Sequence, residues 1–323
     1  MHTTTGQWNF GISLALITTF MWGLLPIALK ALLDGMDPYT ITWYRLFSAS
    51  IVLGLFLQSR HSIDIFQRPS RNNAILLFLT ILGLLGNYII YLLGLDFISP
   101  NSAQIVIQLA PVFLLVGGIL FFGEQFQKRQ WIGYGILIFG LLLFFNERLE
   151  ELFIDVGDYA TGVALILVAG ISWSMYALTS KQLLGTYSSS NIMLVIYLSG
   201  AIFLLPLADI PSVMDMTGPQ YALLAFVSLN SLIAYGCFAE ALNHIEASRV
   251  STILAITPLL TVIFIEIGVR VIPDYTNEEP LNWISMIGAL LVVAGSMTSS
   301  LARKSPRTET EKESICVEGN LPE

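Results

Sequence analysis

Long apolar stretches separated by short polar ones dominate this chain. Runs with few or no charges cover 11–33, 38–57, 74–96, 100–122 and 130–146, then 159–180, 190–208, 219–242, 247–269 and 283–302. A bilayer core about 30 Å thick needs about 20 apolar residues per crossing helix, so each run predicts one membrane-spanning helix. The connections are short, which makes neighbours in sequence antiparallel neighbours in space. The expected fold is an all-α polytopic membrane protein with ten transmembrane helices.

The pattern is written twice. MWGLLPIALKALL at 21–33 aligns with SWSMYALTSKQLL at 172–184, pairing Trp22 with Trp173 and Lys30 with Lys181. Further on, LLGLDFISPNSAQIVIQLAP (92–111) aligns with AEALNHIEASRVSTILAITP (239–258), and Tyr88 meets Tyr235 as Pro111 meets Pro258. Each copy holds five spans, so the second begins on the opposite face, and duplicated units of inverted topology are typical of secondary transporters. The predicted organisation is an N-terminus (1–10), a first repeat (11–146), an outer linker (147–158), a second repeat (159–302) and a polar tail (303–323) that is expected to be disordered. The copies differ by eight residues inserted around VIPDYTNEEPLN (271–282), a longer outer loop or a lid.

Composition agrees: 55% of residues are hydrophobic and 12% charged, against about 25% charged in soluble domains. Lys and Arg are retained on the cytoplasmic side. With the N-terminus inside, eleven of them fall on inner segments, and only Lys30, Arg148 and Arg270 lie at outer ends. Both termini are therefore expected in the cytoplasm, in a multi-pass protein of the cell membrane. The net charge of −8 says little about partners, and no nucleic acid is expected. Two cysteines and three histidines offer neither a disulfide framework nor a metal site. No cofactor is expected. Nucleophile, metallohydrolase, nucleotide-binding and dinucleotide motifs are absent, which disfavours an enzyme; a membrane receptor would not explain the duplication.

The ordered set of motifs resembles the drug/metabolite transporter superfamily, in its ten-helix EamA-type branch. These motifs are Trp22-Gly23 and the altered Trp173-Ser174, RLFSAS from Arg45 to Ser50, Pro111 followed by Gly123-Glu124, and Gln130 with Gly133. The second copy departs after Pro258, and its position equivalent to Arg45 is Ile196. The resemblance implies gradient-driven export or exchange of small metabolites, amino acids or related compounds first, with a multidrug or nucleotide-sugar-type carrier as the alternative. The expected partners are a small-molecule substrate, the bilayer and a coupling proton, with the chain a monomer or homodimer.

Polar groups within lipid-buried helices are costly and face a cavity or another helix. Asn87, Tyr88, Tyr91, Gln104, Gln108, Asn230 and Tyr235 are therefore substrate-site candidates, or else fasteners between helices. Trp22 and Trp173 lie mid-helix rather than at the interfacial belt and are candidates to flank the cavity. Arg45 is the candidate to attract an anionic group, unless it pairs structurally or snorkels. Glu240 and Glu266 are the glutamates within the spans; Glu240, near the cytoplasmic end, is the coupling candidate. Lys30 and Lys181 read as charges at helix ends. Proline removes a helical hydrogen bond, so Pro26, Pro111 and Pro258 are expected to interrupt helices, the symmetric pair Pro111 and Pro258 serving as hinges. Gly133 and Gly140, echoed by Gly288 and Gly295, predict a packing seam.

Overall fold

A computed structural model describes residues 7–63, 70–122, 127–154, 157–245, 247–271 and 279–301. Among them regular structure is helical throughout: α1 (Trp8–Leu33), α2 (Pro38–Ser59), α3 (Arg71–Phe97), α4 (Pro100–Val106), α5 (Ala110–Phe122), α6 (Lys128–Phe144) and α7 (Leu149–Phe153). They are followed by α8 (Asp158–Leu183), α9 (Ser189–Leu204), α10 (Gly218–His244), α11 (Ala247–Leu254), α12 (Thr257–Val271) and α13 (Trp283–Leu301). Each predicted span coincides with one of these helices or, for 100–122 and 247–269, with a helix broken in two. By length and composition eight segments suffice to cross a membrane, while α9 has 16 residues and α6 has 17. The protein is an all-α polytopic membrane protein.

The helix starts follow from local chemistry. An oxygen-bearing side chain before the first turn satisfies otherwise unpaired N–H groups, and proline is favoured at the first helical position. Asp37 accepts from the Tyr39 and Thr40 N–H groups ahead of Pro38, and Ser99 accepts from Ser102 N ahead of Pro100. Ser70 and Ser188 cap α3 and α9 in the same way. Large side chains such as Phe78, Leu120, Phe121 and Trp283 remain exposed on the outside of the bundle, where a bilayer rather than water is the compatible solvent.

The helices pair across the duplication. α1 packs on α10 while its counterpart α8 packs on α3, α2 packs on α9, and α6 packs on α13. Exchanging the two halves leaves this pairing unchanged. At the α6–α13 contact the four echoed glycines form the predicted seam. A Cβ on Gly133 would stand 2.6 Å from Ser299 N, and one on Gly288 would stand 2.3 Å from Phe144 N. Only glycine lets the two backbones come this close.

The prolines behave unequally. The chain breaks before Pro111, where a 3-10 turn at Ile107–Leu109 separates α4 from α5, and before Pro258, between α11 and α12. α1, by contrast, runs unbroken through Pro26, so the expected interruption there is corrected. Proline leaves the carbonyl four residues earlier without its helical donor. For Pro26 that carbonyl is Trp22 O, and the Gln104 amide on α4 donates to it at 3.3 Å. Pro258 frees Leu254 O in the same way, and the Thr257 hydroxyl takes it at 2.5 Å.

Candidate functional site

The centre of the bundle gathers one cation and a group of aromatic rings. Arg45, on α2, is only 4% exposed. Its Nε donates to Ser231 Oγ of α10 at 3.1 Å, and its guanidinium carbon lies 4.5 Å from the Tyr88 ring centroid. Tyr88, Tyr91, Tyr197 and Tyr235 surround it. Tyr88 stacks on its symmetry mate Tyr235 with centroids 6.3 Å apart, and Tyr235 meets Trp22 edge to face at 5.3 Å. Trp173 packs into the same apolar cluster as Tyr88 and Tyr235. Trp22, Tyr91, Trp173 and Tyr235 are half-buried in this cluster while Arg45 and Tyr88 are buried, which leaves accessible aromatic surface among them.

The amide candidates occupy a shell around this cluster, each with its nitrogen on a backbone carbonyl of another helix. Asn87 donates to Ala169 O at 2.9 Å, fastening α3 to α8, and Asn230 donates to Met21 O at 2.7 Å, fastening α10 to α1. Gln104 joins α4 to α1 through Trp22 O and accepts from the Tyr91 hydroxyl at 3.4 Å. Gln108 donates to Ala255 O at 3.2 Å. Ala255 is the residue that the duplication pairs with Gln108, and its carbonyl lies at the break between α11 and α12. The two broken helices thus touch at their breaks, beside the hinge candidates Pro111 and Pro258.

Sequence reasoning missed Tyr197 and Ser231. The Tyr197 hydroxyl donates to Ser231 O at 2.6 Å, on the residue that also receives Arg45. α2 and α9, counterparts in the two repeats, therefore converge on one residue of α10. The signal was available: Tyr197 is a polar group in an apolar span, next to Ile196, the position equivalent to Arg45.

A second polar cluster lies at the end of the bundle predicted to face outward. Glu279, from the second-repeat insertion, accepts from the Ser99 and Ser102 hydroxyls at the start of α4, and from the Tyr159 hydroxyl of α8 at 2.8 Å. Arg148 Nε lies 3.6 Å from the same carboxylate. Arg148 also donates to Glu151 at 2.7 Å; that bond, with Glu279 beside it, holds the guanidinium pKa above its ordinary value. Clefts of about 240 Å³ flank Glu279 on two sides. Residues 272–278 of the insertion, Gly123-Glu124 and the tail lie outside the described residues.

The remaining charges sit at helix ends. Glu240 is half exposed and lies 3.0 Å from His244, and Glu266 pairs with Arg270 at 2.6 Å. Lys30 donates to Leu95 O at 3.1 Å and Asp96 O at 2.9 Å, so it satisfies carbonyls at the C-terminal end of α3.

Broken helices that meet at the middle of a bundle of exchanged helix pairs, next to a buried polar cluster, define the architecture of a membrane transporter. The comparisons with known proteins supply the family. Residues 9–146 and 160–301 both match the EamA-like transporter family, and the chain belongs to it. It is similar to the uncharacterized inner membrane transporter YhbE of Escherichia coli (strain K12), 36% identical over 301 residues, 92% of this chain and 93% of that one. An uncharacterized transporter of Haemophilus influenzae (strain ATCC 51907 / DSM 11121 / KW20 / Rd) is also 36% identical, over 294 residues, 91% of this chain and 95% of that one. One crystal structure aligns with 93% of this chain and its own full length, with a TM-score of 0.65 and 15% identity, a likeness of fold alone.

Proposed function

We propose that the protein is a secondary active transporter that exports or exchanges small polar metabolites, amino acids or related compounds, across the cytoplasmic membrane. In this reading it crosses the membrane ten times as two inverted repeats, 11–146 and 159–302, with both termini in the cytoplasm. The observation that carries the reading is the meeting of the two broken helices through Gln108 and Ala255 O, one turn from Gln104, which touches Tyr91 and Trp22 O of the aromatic cluster. Breaks at equivalent points give the helix halves freedom to re-aim about one centre, which alternating access requires. The aromatic surface and Arg45 are the proposed substrate contacts. The amides of Asn87, Gln104, Gln108 and Asn230 hold the walls in place.

The test is flux. Purified protein in liposomes is expected to carry metabolites down their gradient, and protein-free liposomes are not; chemical turnover of a solute without its movement would overturn the reading. Orientation is tested separately: a thiol reagent that cannot cross membranes should reach Cys316 from the cytoplasmic side only.

A further inference from the structure

We infer that the transported solute carries a negatively charged group, held by the guanidinium of Arg45 at the centre of the bundle; the inference rests on the transport reading above. Arg45 brings five N–H donors in a rigid fork. One of them bonds the Ser231 hydroxyl, and Tyr88 covers the plane of the group. The two terminal nitrogens make no hydrogen bond to any described residue. The glutamates described within the spanning helices are engaged elsewhere, Glu240 with His244 and Glu266 with Arg270, and Asp96 and Asp158 lie at the ends of α3 and α8. The titratable groups nearest Arg45 are the hydroxyls of Tyr88, Tyr91, Tyr197 and Tyr235, with no carboxylate among them.

A charge removed from water without a counter-ion is strongly disfavoured unless something compensates it. Stacking on a tyrosine face offsets part of that cost, and a single hydroxyl offsets little more. An anion arriving at the free edge of the fork would supply the missing charge and accept two parallel hydrogen bonds, the arrangement that guanidinium favours for carboxylates and phosphates. Tyr91 and Tyr235, half-buried near the guanidinium, and Trp22 packed on Tyr235 provide flat apolar surface for the rest of the solute. The second repeat has no duplicate of this charge. Ile196 stands at the equivalent position, and Tyr197 beside it spends its hydroxyl on Ser231 O. The site is therefore singly charged and lies off the axis of the duplication, suited to a solute with one anionic end.

The experiment uses liposomes containing the full chain and loaded with an isotope-labelled total extract of bacterial small molecules. Compounds lost through the wild-type protein are expected to be mainly those that carry an anionic group such as a carboxylate or phosphate, zwitterions included. Arg45→Gln should reduce their loss by at least about tenfold, while Arg45→Lys, which keeps the charge and loses the fork, should retain the preference for anions at a lower rate. Benzoate should inhibit the flux where the matched neutral benzamide does not. Size-exclusion profiles of the variants identify a folding failure, and the benzoate and benzamide comparison on wild-type protein decides the matter if Arg45→Gln does not fold. Loss of compounds that carry no anionic group, at equal rates from wild type and Arg45→Gln, would overturn the inference and leave transport standing. Loss of nothing from the wild type would overturn the transport reading and this inference with it.

Discussion

Two of the places where the repeats meet are built in opposite ways. Along α6 and α13, Gly133, Gly140, Gly288 and Gly295 bring backbone against backbone with no space for a methyl group. At the broken helices the link is one amide on one freed carbonyl, among half-buried rings. Close-packed interfaces have few alternative arrangements. A broken helix whose freed groups are satisfied by side chains can exchange those partners. The contrast separates a fixed join, about which the repeats are held together, from a re-aimable one, about which they can rock.

The largest effect is expected from breaking the fixed join. Gly140→Leu would drive a side chain into Val292 N and Gly288 O, which a Cβ alone would approach to 2.6 and 2.8 Å. Overpacking typically costs about 1–3 kcal/mol, and backbone cannot rotate aside as a side chain does. Detergent-solubilised Gly140→Leu should lose its monodisperse elution peak and melt well below wild type. Gly135→Leu is the control: a Cβ there meets nothing within 4 Å, so it should elute and melt as wild type does. Equal behaviour of the two variants would erase the distinction.

Next comes the re-aimable join. Gln108→Ala removes the donor to Ala255 O, and hydrogen bonds between membrane helices average about 0.6 kcal/mol. A drop in melting temperature too small to affect folding is expected, together with a clear change in flux. Unchanged flux would take the breaks out of the transport cycle. Glu279→Gln should act more weakly again, loosening the clasp at the predicted outer end and lowering the melting temperature slightly without abolishing transport.

The smallest effect is expected at Glu240. Its side chain is half exposed, and exposed ion pairs contribute about 0–1 kcal/mol. Glu240→Gln should leave flux and its pH dependence close to wild type. Loss of pH-driven uptake with exchange intact would instead make Glu240 the coupling group.

The helices were legible because an apolar run of the right length has one stable form in a bilayer. The α6–α13 seam was legible because glycine spacing repeats in both copies. The consequence of Pro26 was not legible: whether a proline breaks a helix depends on what replaces the lost donor, and for Trp22 O the replacement is Gln104, far along the chain. The amides were readable as polar groups in apolar spans. Their partners are backbone carbonyls, which every residue carries, so no residue type betrays them. Glu279 was obscured for a different reason: it falls where Glu124 would align, but Pro280 and the insertion disturb the Gly-Glu context, and its partners Ser99, Ser102 and Tyr159 lie far along the chain.

Gln108 and Ala255 correspond to each other, yet only one of them has an amide to give. In a transporter that changes face by exchanging the conformations of its halves, the bond from Gln108 has no reciprocal from Ala255. The two faces then differ in free energy by roughly one such bond, about 0.6 kcal/mol, or a population ratio of about three. A single unmatched side chain would give this protein a preferred resting direction before any solute or gradient acts on it.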